Sequence, residues 1–136
     1  MREIIFRGKR IEDGEWVEGC LTRYSQEMSY ITVDLLEQEV YQVHTETVGQ
    51  YTGLLDKNSK KIFEGDIINW SARLKYKSTG EVMKTRKRCV VEWRKVKAAF
   101  TLRSFSIPNG MEAMYMSDYE VIGNIHDNPE LLEVQE

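Results

Sequence analysis

Residues 47–70 read TVGQYTGLLDKNSKKIFEGDIINW. Two apolar runs flank the polar stretch Asp56-Lys57-Asn58-Ser59-Lys60-Lys61, and a second break follows at Glu64-Gly65-Asp66. Asp and Asn hydrogen-bond their own backbone and tolerate turn dihedrals, and Gly relieves the steric limit on a sharp bend. The stretch therefore reads strand, turn, strand, turn, strand. The same rhythm extends outward in both directions. Upstream, residues 4–7 and 16–21 flank Asp13-Gly14, which supplies the positive φ of a tight hairpin turn. The β-branched and aromatic runs YITV (30–33) and VYQV (40–43) predict a second hairpin, with a helical turn at its tip from LLEQE (35–39). Downstream, residues 89–93 and 98–102 are strand-like, and Ile107-Pro108-Asn109-Gly110 is a turn. The methionine-rich residues 111–116 predict a short helix, and residues 120–126 a strand. Asn128-Pro129-Glu130 predicts a helical turn, with Asn128 as its cap, Pro129 at its first position and Glu130 facing the helix dipole.

Many short strands without a repeat or a heptad predict a mainly β fold, a small, partly open β-barrel with short helical turns. Glu64-Gly65-Asp66 followed by Ile67 and Ile68 is how strands open in SH3-like barrels, an analogy of form only. The chain has 136 residues, 41% hydrophobic and 30% charged, which predicts one domain, 1–136, large enough for its own core. No apolar run approaches the ~18 residues of a membrane span. The opening MREIIFRGKR has only Ile4, Ile5 and Phe6 between charges, too short for the apolar core of a signal peptide. Cys20 and Cys89 lie in apolar strand-like runs, so both are expected as buried, reduced thiols in an intracellular compartment.

Charge is segregated. From 71 to 103 there are eleven Lys or Arg against Glu81 and Glu92, a net +9, while the rest of the chain has eight basic against twenty acidic residues, a net −12. Ser78-Thr79-Gly80 is a good turn, so a charged β-hairpin or loop is expected at about 71–90. Its candidate contact residues are Arg73, Lys75, Tyr76, Lys77, Lys84, Arg86, Lys87 and Arg88, with Arg94 just beyond. Opposite charge on one chain is suited to self-association and to other protein partners, and this interaction role, without catalysis, is the leading expectation. The alternative is nucleic-acid binding through 73–103, where the cations would track phosphates while Trp70, Tyr76 and Trp93 stack on bases. A third reading, a metal-dependent hydrolase, would need Glu64, Asp66, Asp127 and Glu130 together around a cation. Carboxylates one glycine apart in a turn are more often capping groups. His44 and His126 with the two cysteines have no metal-ligand spacing, and Gly49 and Gly53 lack the lysine of a phosphate loop. No metal or cofactor is expected.

Three blocks carry a resemblance to a known family. The first runs loosely from Phe6 to Trp16; the second has Thr47, Gly49, Gln50, Thr52, Gly53, Leu54, Asp56, Asn58, Glu64, Gly65 and Asp66; the third has Gly123, Asn124, Asn128 and Pro129 before Glu130, Leu131 and Leu132. Together they resemble the YopX family of phage and prophage proteins, which has no settled activity. The resemblance implies a phage or prophage accessory protein with a mainly β fold in the bacterial cytoplasm. For the interaction role, the expected partners are the chain itself and a host or phage protein. Ser59 stands where that family usually has a turn glycine, which raises the cost of a left-handed dihedral there. His126 occupies a position that is often aromatic.

Overall fold

The computed structural model of the chain describes residues 4–34, 36–37, 39–94, 99–103 and 109–132. The chain divides into two compact units, 1–54 and 55–136.

The first unit is antiparallel: β1 (Phe6–Lys9), β2 (Trp16–Arg23), β3 (Ser29–Asp34) and β4 (Glu39–Val43) form a meander, and β5 (Gly49–Leu55) returns to the far side of β1, giving the order β4-β3-β2-β1-β5. The Asp13-Gly14 hairpin forms as its sequence demands: Phe6 faces Gly19, Lys9 faces Trp16, and Gly14 has φ +73. The sheet curls until β4 returns to the chain leaving β1. There Arg10 bridges Val43, Ile11 N–H donates to Gln42 O at 2.9 Å, and His44 N–H donates to Lys9 O at 2.8 Å. The strands form antiparallel sheets and no closed barrel among the described residues. Gly8 sits where β1 crosses Val43, and a Cβ there would come within 2.9 Å of that side chain. At the β3–β4 tip, Asp34 Oδ1 accepts the N–H groups of Leu36 and Glu37. The helical turn expected at 35–39 includes Leu35 and Gln38, which lie outside the described residues.

The second unit contains β6 (Lys61–Phe63), β7 (Asp66–Tyr76), β8 (Val82–Arg94), β9 (Ala99–Arg103) and β10 (Met111–Asn124). Four of them form an antiparallel sheet ordered β10-β7-β8-β9. Its core is Ile62, Ile68, Trp70, Leu74, Cys89, Val91 and Met111, with Tyr119 and Val121 packed against it. The helix expected over 111–116 is instead the first half of β10, paired with β7 from Met111 opposite Tyr76 to Asn124 opposite Asp66. Met, Ala and Glu favour a helix locally, but pairing with a buried central strand outweighs a propensity of a few tenths of a kcal/mol per residue. Three irregularities in that pairing let β10 bend over the core, and one of them places Asp118 at φ +57.

Two capping motifs fix the corners of this unit. Asp56 Oδ1 accepts from Asn58 and Lys60 N–H at 2.8 and 2.9 Å, and its Oδ2 accepts from Val121 N–H at 2.9 Å. One carboxylate thereby closes the 56–60 turn and ties it to β10. At the second break, Asp66 is 1% exposed and its Oδ2 accepts from Phe63 N–H at 2.7 Å. Gly65 N–H reaches Val91 O, and its own carbonyl accepts from Ile125 N–H. The final 3-10 turn spans Pro129–Leu132 with Glu130 in its first turn, as expected. Asn128 acts differently from the expected cap: its Oδ1 turns back to the N–H of Asn124 at 3.2 Å, in the space left by Gly123.

Candidate functional site

The β7–β8 hairpin is regular from its base to its turn, with Ile67 opposite Val90 and Lys75 opposite Val82. Side chains directly opposite in an antiparallel pair share a face, and faces alternate along each strand. That rule sorts the candidate residues. One face holds Ile68, Trp70 and Leu74 of β7 with Cys89 of β8, the apolar core. The other holds Asn69 opposite Arg88, Ser71 opposite Arg86, Arg73 opposite Lys84, and Lys75 opposite Val82. Five cations, Arg73, Lys75, Lys84, Arg86 and Arg88, therefore project from one side of two adjacent strands. Arg73, Lys84, Arg86 and Arg88 are exposed and Lys75 half-buried.

None of the five is in an ion pair with a carboxylate among the described residues, although Glu112 of β10 is opposite Lys75. Two are held by neutral acceptors: Arg86 Nη1 donates to Ser71 Oγ at 2.9 Å, and Arg88 Nη1 to the carbonyl of Leu131 at 3.1 Å. Arginine has five N–H donors, so each guanidinium is oriented with most of its donors left over. Arg73 and Lys84, like charges directly opposite, destabilise the pair they sit on.

The remaining candidates lie elsewhere. Lys87 is exposed but paired with Trp70, on the core side of the sheet, and Tyr76 likewise falls on that side. Lys77 is in the turn, where its N–H donates to Gly110 O. Arg94 lies in β8 opposite Ala99, and its side chain is outside the described residues. Trp70 does not serve as the stacking surface first expected of it. It is 1% exposed, its ring lies 6.4 Å from that of Tyr119, and its Nε1–H donates to Cys89 Sγ at 2.8 Å. Trp93 is 43% exposed, and by alternation along β8 it also falls on the side away from the five cations.

The two thiols differ. Cys89 is buried, and burial pushes its pKa up, against smaller opposing effects of the Trp70 N–H and the Lys87 charge. Cys20, expected to be buried, is exposed, because it falls on the outward positions of β2. Neither is in a disulfide. Asp66 is committed to Phe63, and Asp127 accepts from Asn124 Nδ2. Among the described residues no group of three or more His, Cys, Asp or Glu could hold a metal ion. No helix among them is long and apolar enough to cross a membrane.

A family model described as YopX protein matches residues 5–133. A solved structure, the crystal structure of protein EF1440 from Enterococcus faecalis, is similar at 26% sequence identity and TM-score 0.57, covering 98% of this chain and 100% of that one. No curated protein matches.

Proposed function

The chain belongs to the YopX family, and from that premise we propose that it works without catalysis, as an interaction module whose contact surface is the cationic face of the β7–β8 hairpin. The partner is an acidic protein surface, on a second copy of the chain or on a phage or bacterial host protein. The observation that carries this reading is the gathering of Arg73, Lys75, Lys84, Arg86 and Arg88 on one face, none of them in an ion pair among the described residues, with the face's carboxylates Glu112 and Glu120 lying on β10 to one side. An anionic partner would relieve the Arg73–Lys84 repulsion, and the net −12 of the chain outside 71–103 gives a second copy the complementary sign.

Nucleic acid is the second reading, favoured by the three arginines, whose planar fork suits phosphate. It is weakened by the placement of Trp70 and Tyr76 on the opposite side of the sheet, which removes them as a stacking platform beside the cations. Light scattering at low and high salt, with and without a mixed-sequence single-stranded oligonucleotide, separates the two. The expected result is a mass above 16.0 kDa that falls with salt, falls in Arg73→Gln/Lys84→Gln, and ignores the oligonucleotide. A monomer that gains mass only with the oligonucleotide would overturn the proposal in favour of nucleic acid.

A further inference from the structure

The cations are not scattered over their face. Lys84, Arg86 and Arg88 occupy alternate positions of β8, so they stand about 6.8 Å apart and the row is about 14 Å long. Arg73 widens the row at Lys84, Ser71 holds Arg86, and Leu131 holds Arg88. Two of the three heads are thus oriented before any partner arrives, which lowers the ordering cost of binding. The same face also has acidic limits. On β10, Glu112 is opposite Lys75 and Glu120 opposite Asn69, so an anion moving from β7 toward β10 meets carboxylates. The favourable track runs along β8.

We infer that this face takes an extended acidic polypeptide segment, lying along β8 with a carboxylate at every second residue. An extended chain repeats its side chains at the same ~6.8 Å as the row, so alternate carboxylates meet Lys84, Arg86 and Arg88 in turn. The intervening side chains face solvent, and the neutral donors Ser71 and Asn69 lie beside the track. This inference rests on the interaction reading and specifies the partner's chemistry. Spacing as well as charge then sets selectivity, because an extended segment with its carboxylates in adjacent pairs brings at most two of them to the three heads and an alternating one brings three.

The test compares two labelled, acetylated octapeptides of the same composition, (Glu-Ser)4 and (Glu-Glu-Ser-Ser)2, with an eight-residue thymidine oligonucleotide, by fluorescence anisotropy at low salt. The alternating peptide is expected to bind severalfold more tightly than the clustered one. Lys84→Gln and Arg86→Gln are each expected to weaken it about two- to fivefold, the range of an exposed ion pair, and Lys87→Gln, on the core side, to leave it unchanged. Equal affinity for the two peptides would overturn the alternating-segment inference while the interaction reading stands. A Lys87→Gln loss as large as that of Lys84→Gln would overturn the assignment to this face. Tighter binding of the oligonucleotide than of either peptide, or no binding of any probe together with a salt-independent mass, would overturn both.

Discussion

At the scale of single residues, two positions in the 56–60 turn answer to opposite pressures. Ser59 has φ +65, the left-handed region that costs a residue with a Cβ about 1 kcal/mol. Ser59→Gly is therefore expected to raise stability by about 1 kcal/mol, seen as a rise of about 3–5 °C in the melting midpoint. Asp56 is the reverse, a residue whose loss is expensive. Asp56→Ala would strand the N–H groups of Asn58, Lys60 and Val121 and is expected to cost about 3 kcal/mol or more in denaturant titration. Burial raises the Asp56 carboxyl, but the Val121, Lys60 and Asn58 donors and the Lys60 charge together bring it below its ordinary value. Its contribution is thus complete above an unfolded pKa of about 3.9 and is lost as pH falls through the lower folded value. The stability gap between the protein and Asp56→Asn should be widest above about pH 5 and shrink below about pH 4; a gap constant down to pH 3 would refute the assignment. The turn itself was readable from Asp56 and Asn58, whereas the bond to Val121 was not, because it joins residues 65 apart in sequence.

At the scale of elements, the hairpins are legible in the sequence, and so is the parity that sorts the faces of β7 and β8. Arg73 and Lys75 have odd numbers on β7 while Trp70 and Tyr76 have even ones, so a strand assignment already separates cations from aromatics. On β8 the same parity separates Lys87 from Lys84, Arg86 and Arg88. The composition of the basic segment mixes the two sides, and only the alternation of a strand separates them. Residues 111–116 differ from the helix expected of them for another reason: their pattern carries no period that distinguishes helix from strand, and the strand is decided by β7, a partner 35 residues or more away. The cationic face also predicts opposing effects from one change. Arg73→Glu would set a carboxylate directly opposite Lys84, converting repulsion to attraction. Stability is expected to rise by about 0.5 kcal/mol while salt-dependent association weakens, measured by urea unfolding and light scattering on the same protein. Loss of both together would show that the hairpin serves only the fold.

At the scale of the whole molecule, each unit has one thiol, Cys20 in residues 1–54 and Cys89 in residues 55–136. Cys20 is exposed and should react with a maleimide at once. Cys89, buried and raised in pKa, should react only as the second unit opens, so its labelling against urea reports that unit alone. Immediate modification of both in native buffer would contradict the packing of Trp70 on Cys89. The division into units has no signal in the sequence, since no proline- or serine-rich linker interrupts Leu54 and Leu55. The order β10-β7-β8-β9 bears, finally, on how the protein is made. β7 gains a neighbour on one side as soon as β8 leaves the ribosome, but its other edge, and the third hydrogen bond of Asp56, wait until translation has passed Val121. Through all that time the nascent chain presents an open edge on the strand that carries Ile67, Ile68, Trp70 and Leu74, all buried once folded, so its exposure to misassembly is set by the elongation of residues 77–124 and not by the hairpin's own rapid closure.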